Sequence, residues 1–159
     1  MTIQQGLERL LAETVATLEG SGVADEALAL LETPRLRKPF MRSVGRAWRL
    51  GVLLIDRSGN LYLTGEITRA IEPQVAVTSR TLLAERKRDD RRAAVRGKFP
   101  EGAVVNHGFL RIPLEPLYDG GGSGPLSVEN GEVRIRWQPS GGTMPLARYF
   151  DDRIGLLFE

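Results

Sequence analysis

The spacing of apolar residues changes near Val44 from a helical period to a strand-like one. In residues 2–19 the large apolar side chains recur every three or four positions and form one stripe of a helix. From Val44 onward, short β-rich apolar runs alternate with turn residues. A chain that places the two periods in separate segments is typical of the α+β class.

The N-terminal segment predicts a pair of helices. Thr2 and Gln5 stand at capping-box spacing before the first apolar stripe. A second, shorter helix is predicted for residues 24–32, with Leu28 and Leu31 facing inward and with Pro34 preventing its continuation. We therefore expect a helical hairpin over residues 1–33.

The remainder of the chain, residues 34–159, predicts a β-rich body. Two apolar runs flank residues 56–60, where Gly59 is available for a positive φ, and this pattern indicates a hairpin. A second hairpin is predicted around Asn130 and Gly131, the favoured pair of a type I′ turn. We expect an antiparallel sheet, open or partly closed into a barrel, with shorter strands near residues 103–105, 110–113 and 154–158.

One amphipathic helix is predicted inside the β-rich body, over residues 79–96. Thr78 or Ser79 is its expected N-cap, and Gly97 is its expected end. Four apolar residues share one sector of this helix and are expected to face the core: Leu82, Leu83, Ala93 and Ala94. A chain of 159 residues has the usual size of one domain, so a single domain that includes the helical hairpin, the sheet and the inserted helix is predicted over residues 1–159.

Formal charge is unevenly distributed along a chain whose net charge is only +2. Residues 1–32 carry −5, residues 33–99 carry +10 and residues 100–159 carry −3. Such a cationic middle indicates either an anionic partner or terminal segments that fold back onto it. Because 19 of the basic residues are Arg and three are Lys, high-GC codon usage explains the Arg bias as readily as function does.

The candidate anion-binding or nucleic-acid-binding set consists of basic residues without an obvious local acidic partner. No acid occurs between Pro34 and Leu50, and Phe40 and Trp48 lie in that segment as candidate stacking surfaces. No helix-turn-helix, zinc-finger or RNP-type aromatic pattern accompanies them. The set comprises Arg35, Arg37, Lys38 and Arg42, with Lys87 and Arg91 of the inserted helix.

His107 is the only histidine and the only candidate catalytic residue. It is either a general base, since imidazole ordinarily titrates near neutral pH, or a hydrogen-bonded structural residue. Phosphate-binding GxxxxGK[ST] and nucleophilic GxSxG motifs are absent. With no cysteine and one histidine, thiolate and histidine-rich metal sites are excluded, which leaves only carboxylate sites for hard cations. No metal and no cofactor are predicted.

These patterns favour a cytoplasmic, non-enzymatic binding protein. Its cationic middle region would face an anionic partner or a second copy of the chain in a homo-oligomer. The first alternative is a nucleic-acid-binding protein that uses the Arg-rich segment 35–49 and the helix 79–96. The second is a small enzyme on an anionic substrate with His107 as base. No secretory signal and no apolar run long enough for a bilayer occur, so no membrane partner is expected.

Overall fold

The computed structural model describes residues 1–73 and 81–158. Its helices and strands confirm the α+β class. None of the helices in this described part combines the length and the apolarity that crossing a membrane requires. In chain order the elements are α1 (Ile3–Ser21), β1 (Glu26–Glu32), β2 (Phe40–Leu50), β3 (Leu53–Ile55), β4 (Leu61–Leu63), β5 (Glu66–Arg69), α2 (Leu82–Arg96), β6 (Val104–His107), β7 (Leu110–Arg111), α3 (Glu115–Tyr118), β8 (Leu126–Glu129), β9 (Glu132–Ile135), β10 (Met144–Pro145) and α4 (Leu146–Leu156).

The chain divides into two compact units, each built from separate stretches of sequence. Unit 1 comprises Met1–Ala24, Trp48–Leu63 and Leu110–Glu159. Unit 2 comprises Asp25–Ala47 and Thr64–Phe109. Strand β2 contributes residues to both units. The single domain predicted for residues 1–159 stays a prediction.

Helix α1 of unit 1 confirms the predicted N-terminal helix. Thr2 Oγ1 accepts the Gln5 N–H at 3.1 Å, and Gln5 Oε1 accepts the Thr2 N–H at 2.9 Å, so the capping box is formed. The helix ends where Gly22 adopts a φ of 75°, the left-handed conformation that favours glycine. Its buried apolar residues recur at helical spacing: Leu7, Leu11, Val15 and Leu18.

Both predicted hairpins are present in unit 1. Strands β3 and β4 pair antiparallel around the 56–60 loop, where Gly59 has a φ of 82°. Strands β8 and β9 pair around Asn130 and Gly131, whose φ values of 52° and 76° are those of a type I′ turn. The order β2-β3-β4-β7 forms one sheet of this unit and β10-β9-β8 forms a second. Within the described residues, neither of these sheets closes into a barrel.

The predicted strand at residues 154–158 is wrong, because most of this segment belongs to helix α4. Leu146, Tyr149 and Phe150 are buried at i, i+3 and i+4 in the core of unit 1. This helical spacing begins upstream of Ile154, so the segment continues an amphipathic helix. The first arm of the β3–β4 hairpin is only Leu53–Ile55, since Gly51, with a φ of 66°, turns the chain between β2 and β3.

Unit 2 contains a mixed sheet with the strand order β5-β6-β1-β2. The β1–β2 and β5–β6 pairs are antiparallel, whereas β1 and β6 run parallel. The predicted purely antiparallel sheet is therefore corrected in this unit. Parallel pairing requires a long crossover between the two strands. Here the intervening chain includes β2 to β5 and helix α2.

The second helix of the predicted helical hairpin is wrong, because Glu26–Glu32 forms strand β1. Its sequence, EALALLE, consists of good helix formers, so local propensity favours a helix. Ala27, Leu28 and Ala29 are all buried in succession, which means that both faces of the strand are covered. Hydrogen bonding to β2 on one side and to β6 on the other thus overrides the helical preference.

Helix α2 confirms the predicted inserted helix from Leu82 to its end at Gly97. Thr81 Oγ1 accepts the Ala84 N–H at 3.1 Å and is the N-cap. The predicted caps at positions 78 and 79 lie outside the described residues.

The core-facing side of α2 is smaller than predicted. Leu82 and Leu83 are 85% and 54% exposed, whereas Ala93 and Ala94 are buried. The apolar core of unit 2 consists of small side chains and one Met: Ala27, Ala29, Met41, Ala70, Ala93, Ala94 and Val105. Small side chains at the contact allow a helix to lie close to the strands beneath it.

Candidate functional site

A cationic surface groove lies in unit 2 between the start of β2 and the end of α2. Its volume is about 440 Å³. The two walls approach closely because Gly97 has no side chain: a Cβ at this position would lie 2.1 Å from the Met41 carbonyl oxygen. We call this feature the cationic groove, and its lining residues are Arg37, Lys38, Phe40, Met41, Arg42, Ser43, Arg96, Gly97 and Lys98.

Five of these lining residues are cationic and none is acidic. Arg96 donates from Nη1 to the Pro39 carbonyl oxygen at 2.5 Å. Arg37 stacks its guanidinium 4.9 Å from the centroid of the Phe40 ring. Lys38 and Lys98 have no carboxylate within ion-pair distance among residues 1–73 and 81–158. The groove therefore carries uncompensated positive charge.

Part of the predicted cationic middle is neutralised inside unit 2. Arg42 donates from Nε to Glu32 at 2.9 Å, and Arg46 donates from Nε to Asp25 at 2.6 Å. These arginines are 53% exposed, so each pair contributes only a few tenths of a kcal/mol. The ion pairs orient the arginines without removing the excess of positive charge in the groove.

The structure brings together three of the six basic residues proposed from the sequence. Arg37, Lys38 and Arg42 line the groove, together with Arg96 and Lys98, which sequence reasoning missed. Arg35, Lys87 and Arg91 are exposed and do not line it.

One of the two proposed stacking aromatics is not available for stacking. Trp48 is 2% exposed and donates its indole N–H to the Val23 carbonyl oxygen at 3.0 Å, so it is a core residue of unit 1. Phe40 is half-buried and lines the cationic groove.

A second cluster in unit 2 consists of Glu66, Asp90 and His107. Glu66 on β5 and His107 on β6 are directly opposite each other in the antiparallel register, so their side chains are cross-strand neighbours. Asp90 reaches the same place from helix α2. One ligand atom from each of the three residues lies within 4.8 Å of the other two. We call this group the His107 cluster.

His107 is held inside the cluster without a hydrogen bond at Nε2. Its side chain is 7% exposed, and Nε2 has no hydrogen-bond partner in the part of the chain that the structure describes. The nearest carboxylate oxygens are Asp90 Oδ2 at 3.7 Å and Glu66 Oε2 at 3.9 Å, both beyond hydrogen-bond length. Buried polar atoms are rarely left unpaired, so this nitrogen requires an explanation.

The two carboxylates of the His107 cluster differ in environment. Asp90 is 14% exposed, and burial raises its pKa above the ordinary aspartate value. The electrostatic attraction of His107 acts in the opposite direction, whereas the nearby Glu66 carboxylate adds to the rise. Glu66 is 47% exposed, and its Oε1 accepts a hydrogen bond from Arg86 Nη2 at 2.7 Å. The imidazole nitrogen and the carboxylate oxygens of the cluster can thus bind a proton or a metal cation.

Comparisons of the chain with protein-family models, with curated proteins and with solved structures found no match. The protein is therefore described by its fold class and by the candidate sites that the structure contains. It is an α+β protein whose unit 2 carries a cationic groove and a cluster of one histidine and two carboxylates.

Proposed function

We propose that the protein is a binding protein that takes up a phosphate-bearing ligand in the cationic groove of unit 2. The observation that carries this proposal is the set of five cations around one groove, in whose lining the described residues include no acid. The non-enzymatic character and the cytoplasmic location expected from the sequence stay predictions, as does self-association.

The groove has the size and the donor types that a small phosphate-bearing ligand requires. Its volume of about 440 Å³ lies within the usual range of small-molecule sites, about 300–1,000 Å³. Arginine guanidinium groups present a planar fork of N–H donors that matches phosphate oxygens, and lysine adds a mobile point charge. Lys38 and Lys98 are the groups most free to rotate onto a ligand, because neither is held in an ion pair among the described residues.

Single-stranded nucleic acid is a second candidate ligand, favoured by Phe40. An aromatic ring beside a cationic groove is the arrangement on which an unstacked base packs while its phosphate contacts Arg or Lys. Arg37 lies over the Phe40 ring, so a base would displace it or stack on its guanidinium. A nucleotide and a short single strand share this chemistry, and the experiment below separates them.

The experiment measures pyrophosphate affinity by isothermal titration calorimetry and affinity for a labelled single-stranded oligonucleotide by fluorescence anisotropy, both at low salt. In the double variant Lys38→Gln, Lys98→Gln we expect at least a tenfold loss of affinity for pyrophosphate, because two charge-assisted contacts are removed. The matched control is the double variant Lys87→Gln, Arg91→Gln, which removes the same charge from helix α2 outside the groove. It is expected to retain the wild-type affinity.

Three outcomes decide between the ligands. Loss of pyrophosphate binding only in the groove variant supports a small phosphate-bearing ligand. An oligonucleotide that binds at least tenfold more tightly than pyrophosphate, and that also weakens in the control variant, identifies a nucleic-acid surface wider than the groove. If neither probe binds at 20 mM salt, the proposal is wrong.

A further inference from the structure

We infer that Glu66, Asp90 and His107 bind a divalent first-row transition-metal ion, of which Zn²⁺ and Mn²⁺ are representatives. This inference does not depend on a ligand in the cationic groove, because no residue of the His107 cluster lines that groove. It rests on the unpaired buried imidazole nitrogen, on the spacing of the three donors and on their chemistry.

The imidazole points at the carboxylates with its Nε2 unpaired. Its side chain is 7% exposed, and Nε2 is out of reach of bulk solvent and has no hydrogen-bond partner among residues 1–73 and 81–158. A protonated imidazole in a simple ion pair ordinarily closes to hydrogen-bond distance, whereas here the distances to Asp90 and Glu66 are 3.7 Å and 3.9 Å. A metal ion placed between the three donors would satisfy the nitrogen and both carboxylates at once.

The donor spacing is close to that of a metal site. Ligand atoms around a four-coordinate Zn²⁺, with bonds of about 2.0–2.1 Å, lie about 3.3 Å from one another. The two distances from Nε2 exceed this by only a few tenths of an ångström. Glu66 is 47% exposed, so its side chain can rotate inward without disturbing the core.

The donor set selects the metal class. One imidazole and two carboxylates suit Zn²⁺, Mn²⁺ or Fe²⁺, whereas Mg²⁺ and Ca²⁺ prefer oxygen ligands alone. Three protein donors leave further coordination positions for water. Asp90 and Arg86 also line a cavity of about 390 Å³ in unit 2.

Arg86 is a positioning residue for this site. It lies one helical turn before Asp90 on α2 and donates to Glu66 Oε1 at 2.7 Å. This contact directs the other oxygen, Oε2, toward His107. Outer partners of this kind orient metal ligands in proteins of known metal content.

The test uses tag-free, EDTA-treated full-length protein titrated separately with ZnCl₂, MnCl₂ and MgCl₂ in a calorimeter. Wild-type protein is expected to bind one Zn²⁺ per chain and to bind Mg²⁺ at least tenfold more weakly. His107→Gln and Asp90→Asn are each expected to lower Zn²⁺ affinity at least tenfold. Asp89→Asn is the matched control, because Asp89 precedes Asp90, is 73% exposed and pairs with Arg92 instead.

A second measurement on the wild-type protein does not depend on whether the variants fold. His107 is the only histidine, so a long-range ¹H–¹⁵N spectrum contains the imidazole signals of one residue. Stoichiometric Zn²⁺ is expected to shift the Nε2 signal. An Nε2 signal that Zn²⁺ does not move, equal affinity for Mg²⁺ and Zn²⁺, or equal loss of binding in Asp89→Asn and Asp90→Asn overturns the inference.

Discussion

Tyr149 joins helix α4 to the turn between β2 and β3 of unit 1 through its hydroxyl. The hydroxyl donates to the Leu50 carbonyl oxygen at 2.8 Å and accepts the Val52 N–H at 2.9 Å, and the residue is 1% exposed. Gly51 lies at the centre of this turn, and a Cβ there would lie 2.1 Å from the tyrosine oxygen. The turn and the hydroxyl therefore depend on each other.

We expect Tyr149→Phe to lower the free energy of unfolding by about 1–3 kcal/mol, because it leaves the buried Leu50 carbonyl and the partly buried Val52 N–H without this partner. Urea denaturation followed by circular dichroism measures this change. Tyr118→Phe is the control, since no hydrogen bond of its hydroxyl is found among the described residues, and it should change stability by less than about 0.5 kcal/mol. Equal effects of the two substitutions would contradict the role of the Tyr149 hydroxyl.

The same hydroxyl predicts a pH dependence of stability. Burial raises the pKa of Tyr149 above the ordinary value of 10.0, against the opposing influence of the Val52 hydrogen bond and of Arg153. The unfolded chain loses this proton first as the pH rises, so the native state then binds more protons. Its contribution is fully present below about pH 10 and is lost as the pH rises through the folded-state pKa.

The stability difference between wild type and Tyr149→Phe should therefore be constant from about pH 7 to pH 9 and shrink above about pH 10. Urea denaturation at a series of pH values measures it. Other tyrosines titrate in both proteins and cancel in the difference. A difference that stays the same at pH 11 is the contrary result.

At the scale of elements, Gly97 determines how closely the end of α2 approaches β2 in unit 2. Its φ of −73° is open to every residue type, so the requirement for glycine is steric. The atom that an added Cβ would meet at 2.1 Å belongs to the backbone of Met41, which cannot rotate away as a side chain could. Arg96 and Lys98 flank this contact and line the cationic groove.

Gly97→Ala is expected to destabilise the protein by about 1–3 kcal/mol through overpacking. Thermal or urea unfolding measures the change. Gly20→Ala is the matched control within helix α1, because a Cβ at that position meets nothing within 4 Å. This control should be neutral or stabilise by up to about 1 kcal/mol, the difference in helix propensity. A neutral Gly97→Ala would show that the close approach to Met41 relaxes at no cost.

Elements whose boundaries are encoded locally could be predicted from the sequence. Helix α1 has its capping box and its stop within three residues of its ends, and the β8–β9 hairpin is specified by Asn130 and Gly131. Strand β1 could not be predicted, because its residues favour a helix and only pairing with β2 and β6 makes it a strand. Local propensity therefore determines the secondary structure of a segment only where tertiary contacts do not override it.

The candidate sites follow the same division. Arg37, Lys38 and Arg42 could be proposed because they are close in sequence, whereas Arg96 and Lys98 join them only through the packing of α2 on β2. The His107 cluster depends on the register that places Glu66 opposite His107 and on the docking of α2. These three residues are far apart in the sequence and belong to no short motif, so the sequence gives no sign that they come together. The prediction of no metal was instead based on the numbers of histidines and cysteines.

For the whole molecule, a net charge of +2 means that the long-range electrostatic field is weak. Within unit 2, acids from residues 25–32 pair with Arg42 and Arg46, as one of the two explanations of the charge pattern expected. The groove keeps an excess of cations in spite of these pairs. Recognition of an anion must then come from a few short-range contacts and not from steering by the whole surface.

If a few short-range contacts in the groove hold the ligand, the salt dependence of single-stranded DNA binding can be predicted from their number. Each phosphate contact on a single strand adds about 0.7 to the slope of log K against log salt concentration, so the five groove cations allow a slope no steeper than about −3.5. Fluorescence anisotropy at salt concentrations from 20 to 200 mM measures the slope. Lys38→Gln, Lys98→Gln should reduce it by about 1.4, and Lys87→Gln, Arg91→Gln should leave it unchanged, because only the first pair lines the groove. A steeper wild-type slope that flattens in the second variant would extend the binding surface along helix α2, beyond the groove.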